Sequence, residues 1–138
     1  MTDAFFAPVR DVMTTAPKCI DGMATLSDAL AIMRAENISS LIVNRRDERD
    51  EYGIILIVNI AAKIINEKRP TARISVYEIM TKPAPAIDAD MNIKYAIRHM
   101  VSLGLSHCVV AKGRDLIGIV TLRDMTLRYI ELSEIGRQ

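Results

Sequence analysis

The sequence predicts an α+β (mixed α/β) fold made of two similar halves, each with the order strand, helix, strand, strand, helix. The first observation is a repeat: DVMTTAPKCIDGMATLSDALAIMRAENISSLIV, from Asp11, aligns without a gap with EIMTKPAPAIDADMNIKYAIRHMVSLGLSHCVV, from Glu78. In both copies the same helical spacing is followed by two apolar runs. One copy is too small to bury its aliphatic faces well, so we expect a pseudo-twofold pair with a cleft between the halves.

The first helix of each copy is indicated by its apolar stripe. Leu26, Leu30 and Met33 lie at i, i+4 and i+7, which is the spacing of one buried helix face. The equivalent residues of the second copy are Ile93, Ile97 and Met100.

The ends of these helices also match between the copies. Thr25 and Asn92 occupy the positions before each stripe, where a short side-chain oxygen accepts from the free amides of a helix. Asn37 and Gly104 follow each stripe, and both residue types tolerate the left-handed conformation that closes a helix. We therefore predict that both helices begin and end at equivalent residues.

Apolar runs around these helices predict the strands, and a further helix ends each copy. In the first copy we expect strands near Cys19–Ile20, at Leu41–Val43 and at Gly53–Val58, and a helix at Asn59–Lys68. In the second we expect strands near Ala86–Ile87, at Cys108–Ala111 and at Leu116–Leu122, and a helix at Asp124–Leu132.

The domain boundaries follow from this alignment. We predict a first domain at residues 1–68, which includes the N-terminal lead-in, and a second at 76–138. The linker, 69–75, contains Pro70, which cannot continue the preceding helix.

Composition excludes several classes of protein. Half of the 138 residues are hydrophobic, a quarter are charged, and the net charge of +1 gives no nucleic-acid footprint. No apolar run is long enough to span a bilayer, and the N-terminus does not resemble a secretory signal. Cys19 and Cys108 form neither a disulfide framework nor a metal-ligand spacing. We therefore expect a cytoplasmic protein with no membrane insertion.

Three short strings carry a family resemblance. GIVTLRD, at Gly118–Asp124, resembles the end of a cystathionine-beta-synthase-type (CBS) domain, while VMTTAP and IMTKPAP resemble the start of such domains. The resemblance covers Val9 to Leu132, so the chain is similar to a stand-alone tandem CBS pair, or Bateman module. It implies a non-catalytic regulatory module, often homodimeric, that binds AMP, ADP, ATP or S-adenosylmethionine and acts on a partner protein, which the sequence does not identify.

The resemblance also implies a ribose contact at Thr121 and Asp124. A carboxylate near a helix start can accept hydrogen bonds from vicinal ribose hydroxyls, and its charge suits the helix dipole. The residues alone favour a helix N-cap for Asp124 over ribose binding, the resemblance reverses this order, and the two roles can coexist. The first copy departs from the pattern, because Leu56 replaces the Thr and Asn59 the Asp. We therefore predict one strong site and one weak or vacant site.

In this family each site is shared between the two copies. By resemblance, the main site combines Thr121 and Asp124 with Thr14, Ala16, Lys18, Ile20, Ile38, Ser39 and Ser40. The weaker site would use Asn59, Thr81, Pro83, Pro85, Ile87, Leu105 and Ser106.

Phosphate contacts complete the predicted main site. His107 lies where related proteins often carry a basic residue, but a half-buried histidine at a strand start is an equal interpretation. Arg123 and Lys18 are further phosphate candidates, with solvated surface charge as the alternative.

No catalytic or metal site is predicted. His107 with Cys108, and Cys19 with His99, lack supporting ligands or an orienting group, and the sequence has no Walker-type phosphate loop. The charged run from Arg45 to Glu51 is interpreted as a solvated hairpin loop, with a partner-docking segment as the alternative. Two functions stay open: an adenine-nucleotide sensor without an obligatory cofactor, and a ligand-free homodimeric scaffold with vestigial clefts.

Overall fold

Two β-sheets and four α-helices make up residues 6–135, the part of the chain that this computed structural model describes. The elements, in chain order, are β1 (Thr14–Thr15), β2 (Cys19–Ile20), α1 (Leu26–Glu36), β3 (Ser40–Val43), β4 (Gly53–Leu56), α2 (Ile57–Asn66), β5 (Ala86–Asp88), α3 (Ile93–Leu103), β6 (His107–Lys112), β7 (Asp115–Thr121) and α4 (Leu122–Ile135). Short 3-10 turns occupy Val9–Asp11, Thr71–Arg73 and Val76–Glu78. Apart from β1, this order repeats the strand, helix, strand, strand, helix pattern predicted from the sequence.

The chain forms two units, each built around its own sheet. The first-copy unit, Pro17–Ala84, contains a sheet of order β2-β3-β4. The second-copy unit joins the chain up to Ala16 with the chain from Pro85 onward, and its sheet has the order β1-β7-β6-β5. In both sheets the opening strand of the copy runs parallel to its neighbour, and the following pair is an antiparallel hairpin.

The predicted starts and ends of α1 and α3 are confirmed. Thr25 accepts from the Asp28 amide at 3.2 Å, and Asn92 accepts from the Lys94 amide at 3.3 Å. Asn37 and Gly104 close the two helices in the left-handed conformation, with φ of 53° and 66°. The repeated sequence therefore produces repeated caps.

The boundaries of the hairpins and final helices differ from the prediction by a few residues. The strand predicted at Gly53–Val58 ends at Leu56, because Ile57 and Val58 already belong to α2. Similarly, the strand predicted at Leu116–Leu122 runs from Asp115 to Thr121, and α4 begins at Leu122. β-branched residues fit a strand and a buried helix turn alike, so periodicity alone does not locate the transition.

Both cores include residues from outside the predicted repeats. Ile74, from the predicted linker, is fully buried with Val76 in the core of the first-copy unit, and its carbonyl accepts from the Leu26 amide at 2.8 Å. Ala7 and Val9 have the same role in the second-copy unit. The linker and the lead-in are therefore equivalent structural segments.

The lead-in continues as β1, which the sequence did not predict as a strand. Thr14 pairs with Ile119 and Thr15 with Gly118 on β7. In the first-copy unit the matching contact is a single bridge between Thr81 and Ile54 on β4. Each copy's opening segment therefore joins the sheet of the other copy.

These contacts divide the chain differently from the predicted boundaries of 1–68, 69–75 and 76–138. Those boundaries follow the sequence repeat, whereas the lead-in packs with the second copy and the linker with the first. Residues 1–5 and 136–138 lie outside the described part of the chain. Within the described part, no helix is long and apolar enough to cross a bilayer.

Candidate functional site

One face of the second-copy sheet brings several predicted site residues together. His107 on β6 is the cross-strand partner of Thr121 on β7, and Thr14 on β1 is the partner of Ile119. Cross-strand partners share a face, and so do residues two apart on a strand. Thr14, Ile119, Thr121 and His107 therefore share one face.

The opposite face of that sheet belongs to the core. Cys108, Val110 and Val120 are buried there against residues of α3 and α4, including Met100 and Met125. The other face carries partly exposed side chains at His107, Ile119 and Thr121 and a buried one at Val109, which is 5% exposed.

Asp124 lies in the first turn of α4, next to that face. The Asp124 amide donates to Thr121 Oγ1 at 3.0 Å, so Thr121 caps the helix and Asp124 lies three residues beyond the cap. The carboxylate of Asp124 bonds Arg123 at 3.2 Å, its side chain is 43% exposed, and it has no backbone amide partner within residues 6–135. The alternative interpretation of Asp124 as the N-cap is therefore wrong.

The equivalent position of the first copy is arranged differently. Asn59 Oδ1 accepts from the Leu56 amide at 3.2 Å, so this side chain satisfies the start of α2. Leu56 occupies the position equivalent to Thr121 and has no hydroxyl that could cap the helix. The local helix start thus uses the polar group of Asn59, whereas the group at Asp124 stays available.

His107 is half-buried and hydrogen-bonded. Its Nδ1 lies 2.8 Å from Ser106 Oγ, a residue predicted for the other site. Burial lowers the pKa of His107, and the negative charge of Asp124 partly opposes this. At neutral pH the ring is therefore mainly uncharged, and a bound anion would favour its protonation.

The remaining cations of the predicted main site lie at the surface. Arg123 is 79% exposed and pairs with Asp124. Lys18 is 54% exposed and lies 3.7 Å from Glu36. For both residues, phosphate contact and solvated surface charge stay open, because an exposed cation is compatible with either role.

The turn after β1 is conformationally unusual. Ala16 has φ of 50°, in the left-handed region that glycine adopts more readily than alanine. The chain passes from the second-copy unit to the first-copy unit directly after it. Backbone strain of this kind is often found at functional positions.

The other predicted residues divide between the two units. Thr81 and Pro83 are exposed in the first-copy unit, and Ile87 is buried in the core of the second. Those of the main site in the first-copy unit are Lys18, Ile20, Ile38, Ser39 and Ser40, and those of the weaker site in the second-copy unit are Pro85, Ile87, Leu105 and Ser106.

Two of these residues have matched main-chain roles. The carbonyl of Ser39 accepts from the Ile57 amide at 2.9 Å, and that of Ser106 accepts from the Leu122 amide at 2.9 Å. The side chain of Ile20 lies in the first-copy core. Ile20 could therefore contact a ligand only through its main chain, and the same holds for Ile87, which is buried in the other core.

The sequence interpretation missed Ile119. This half-buried residue lies on the same face as Thr121 and opposite Thr14. Its position two residues before Thr121 on a strand was the available signal. Within residues 6–135, no three His, Cys, Asp or Glu side chains come together in a way that could hold a metal ion.

The chain is thus a duplicated α+β unit in which the helix start at Thr121 and Asp124 lies beside one face of a sheet. The model of the CBS domain matches residues 9–66 and 76–131. The chain therefore belongs to the CBS-domain family and carries two CBS domains, which confirms the resemblance seen in its motifs.

Known proteins similar to this chain include an uncharacterised protein of Methanopyrus kandleri, 30% identical over 118 residues, which are 84% of this chain and 57% of that relative. The chain thus spans little more than half of that relative's length. A hexameric CBS-CP12 protein from bloom-forming cyanobacteria is 28% identical, with a TM-score of 0.86 over 92% of this chain and 73% of that one. The CBS domain of a bacterial CNNM/CorC family Mg²⁺ transporter, solved in complex with ATP, is 23% identical, with a TM-score of 0.73 over 90% of this chain and 87% of that one.

Proposed function

We propose that this CBS pair is a regulatory module that binds an adenosine nucleotide at Thr121 and Asp124 and acts on a partner protein. The observation that carries the proposal is the carboxylate of Asp124, which is exposed and not used to cap its helix. An ionised acceptor in that position makes strong hydrogen bonds with ribose hydroxyls. The ATP complex of the CNNM/CorC CBS domain supports a ligand of this class.

The phosphates would lie toward His107. A phosphate raises the pKa of a neighbouring imidazole, so binding would draw a proton onto His107 and strengthen the contact. Thr14 and Ile119 would border the sugar from the same sheet face. The candidate ligands are AMP, ADP, ATP and S-adenosylmethionine.

Regulation would follow from a difference in affinity. A ligand shifts the equilibrium between two arrangements only by the difference between its affinities for them. Binding of the nucleotide would thus change the surface offered to the partner protein. No catalytic step belongs to this proposal, and the free thiols of Cys19 and Cys108 suit a reducing compartment such as the cytoplasm.

Isothermal titration calorimetry with the four candidate ligands tests the nucleotide site. The Asp124→Asn variant should bind the best ligand about 10- to 100-fold more weakly, which corresponds to the loss of one charge-assisted hydrogen bond. Asp115→Asn, at an exposed hairpin carboxylate, is the matched control and should bind normally. No heat with any of the four ligands, or normal binding by Asp124→Asn, would contradict the proposal.

A ligand-free homodimeric scaffold remains the second candidate, and exposed apolar residues favour it. On α2 the side chains of Ile57, Val58 and Ile65 are 41%, 60% and 83% exposed. The similar CBS-CP12 protein is hexameric. Light scattering of the wild type and of an Ile65→Lys variant tests association: a dimer that dissociates in the variant supports this surface, and a monomeric wild type excludes it.

A further inference from the structure

A cavity of about 440 Å³ lies inside the first-copy unit, at the end of the sheet where β2 and β3 stop. Its volume is in the range of small-molecule sites. None of its lining residues belongs to the predicted nucleotide sites. They are Asp21, Gly22, Met23, Val43, Asn44, Arg45, Arg46, Tyr77, Met80 and Lys82.

The second-copy unit has the same corner, with the same main-chain hydrogen bonds. The Tyr77 amide donates to the Gly22 carbonyl at 2.9 Å, and the Arg10 amide donates to the Ala89 carbonyl at 2.9 Å. These residues are related by the repeat, so the backbone frames of the two corners correspond.

The turns that form the floor of each corner also correspond. Asp21 accepts from the Met23 amide at 2.8 Å, and Asp88 accepts from the Asp90 amide at 2.8 Å. Met23 and Asp90 are therefore equivalent positions on equivalent turns, and any difference between the corners comes from the side chains.

In the second-copy unit an ion cluster occupies the corner. The Asp90 carboxylate contacts both Arg10 and Lys112. Lys112 is the main cause of the lowered pKa of Asp90, and Asp90 raises the pKa of Lys112 in return. The protein thus supplies its own anion to this pair of cations.

In the first-copy unit one cation is kept, but the anion and the other cation are lost, because Met23 stands at the position of Asp90 and Tyr77 at that of Arg10. Arg45 is equivalent to Lys112 and Met23 to Asp90, and Met23 is 74% exposed. The Arg45 guanidinium lies 5.2 Å from the centre of the Tyr52 ring and makes no ion pair within residues 6–135. The cation is therefore oriented by an aromatic ring and lacks a carboxylate.

Other charges around the cavity leave it with excess positive charge. Asp50 lies 2.6 Å from Lys82 and 3.2 Å from Arg46, so it neutralises only one of these two cations. The carboxylate of Asp21 accepts from the Met23 amide within its own turn and stays negative, so three cations (Arg45, Arg46 and Lys82) face two carboxylates (Asp21 and Asp50). Arg45, which has no ion pair within residues 6–135, lies beside apolar walls contributed by Met23, Val43, Tyr77 and Met80.

We propose that this cavity binds a small organic anion, whose carboxylate or phosphate contacts Arg45 and takes the place that Asp90 fills in the other unit. The apolar part of the ligand packs against the methionines and Tyr77. The site is separate from Thr121 and Asp124, which lie in the second-copy unit.

Nuclear magnetic resonance of methyl-labelled methionine tests this site directly, because Met23 and Met80 both line it. The probes are benzoate, phenyl phosphate, benzyl alcohol as the neutral analogue, and inorganic phosphate. Benzoate or phenyl phosphate should shift both methyl signals with saturation, and benzyl alcohol should bind more weakly by about tenfold. Equal binding of the alcohol, saturation by neither aromatic anion, or inorganic phosphate binding as tightly as phenyl phosphate would overturn the proposal.

Two substitutions then test the charge argument, with Met80 as the reporter. Met23→Asp restores the carboxylate that the second-copy unit has, and Arg45→Gln removes the cation; each should weaken anion binding by about tenfold or more. Met23→Leu is the matched control and should bind as the wild type does. Normal binding by Arg45→Gln or Met23→Asp contradicts the proposal.

The nucleotide proposal is tested separately by Asp124→Asn, which should leave the affinity for benzoate unchanged. An equal loss of benzoate binding in Asp124→Asn would assign the signal to the nucleotide site and overturn the separate cavity site.

Discussion

The two halves of this chain share a backbone plan but use its polar positions in opposite ways. At the last helix of the second copy, Thr121 caps the helix and leaves the Asp124 carboxylate available. At the last helix of the first copy, Asn59 is used by the helix itself. In a duplicated fold, equivalent polar positions can thus have different local hydrogen bonds in the two copies.

At the corners at the ends of the two sheets, the self-contained polar arrangement is in the second copy instead. There the second copy has the ion cluster of Arg10, Asp90 and Lys112, whereas Met23 and Arg45 of the first copy line a cavity. The two halves thus differ both at the start of the last helix and at this corner. Substitutions that exchange or remove these differences test which of them matter.

The largest effect is expected where the linker acts as core. Ile74→Ala should lower the free energy of unfolding by about 2–5 kcal/mol, because Ile74 is fully buried and its removal leaves a cavity. Urea unfolding measures this change. Val101→Ala, at a side chain on α3 that is 62% exposed, is the control and should change stability by less than about 0.5 kcal/mol. Equal small effects would mean that residues 69–75 are only a tether.

The next largest effect is expected at two equivalent glycines, Gly118 and Gly53, because neighbouring atoms leave less room for a side chain at Gly118. A Cβ at Gly118 would lie 2.6 Å from Met13 Sδ and 2.8 Å from the Thr14 carbonyl oxygen, but at Gly53 the nearest atoms are 3.2 Å away. Gly118→Ala should therefore destabilise by about 1–3 kcal/mol, and Gly53→Ala by less. Thermal unfolding of both variants makes the comparison, and a larger loss for Gly53→Ala would contradict it.

The helix caps and β1 show which features of the fold could be predicted from the sequence and which could not. The helix caps at Thr25, Asn92, Asn37 and Gly104 were predictable because each depends on one residue type in a local conformation. The exchange of opening segments was not, because β1 is two residues long and pairs with a strand more than a hundred residues later. Nothing in the local pattern of such a short segment specifies its partner.

The candidate site divides in the same way. Thr121 and Asp124 could be named from a motif, but the role of each depended on where α4 begins, and the prediction placed that start two residues late. The cavity beside Met23 had no sequence signal of its own. It became visible only when the ion cluster of Asp90 could be compared with its counterpart.

The difference between the helix starts can be removed by substitution. The double variant Leu56→Thr and Asn59→Asp gives the first copy the polar pattern of the second. We expect it to gain a second nucleotide site per chain, with the introduced carboxylate contributing about 1–3 kcal/mol as a charged acceptor. Titration calorimetry reports the number of sites. A stoichiometry of one nucleotide per chain in the double variant would contradict the prediction. Adding Asp124→Asn to the double variant should weaken the original site, so that the new site is the main one that remains.

A smaller, stabilising effect is expected at Ala16. Its φ of 50° is unfavourable for alanine, and glycine relieves this at the cost of a more flexible unfolded chain. Ala16→Gly should therefore raise the free energy of unfolding by about 0.5–1 kcal/mol. Ala31→Gly, at an exposed position within α1, is the matched control and should lower it by about 1 kcal/mol. Destabilisation by both variants would mean that Ala16 is not strained.

The smallest effect should be the pH dependence that His107 gives to the second-copy unit. Burial lowers its pKa in the folded protein, so the unfolded chain takes up a proton first as the pH falls below about 6.5. The contribution of His107 to stability is thus complete above that pH and declines below it. Urea unfolding from pH 7.5 to 5.0 should show a decline that His107→Gln lacks.

Asp124→Asn sharpens this last comparison, because it removes the charge that favours protonation of His107. The decline in stability below about pH 6.5 should become steeper in that variant. A bound nucleotide should act in the opposite direction, since its phosphate stabilises the protonated ring and makes binding tighter as the pH falls. If Asp124→Asn and His107→Gln leave the pH dependence of both stability and binding unchanged, His107 and Asp124 do not act on each other, and the phosphate contact is not at His107.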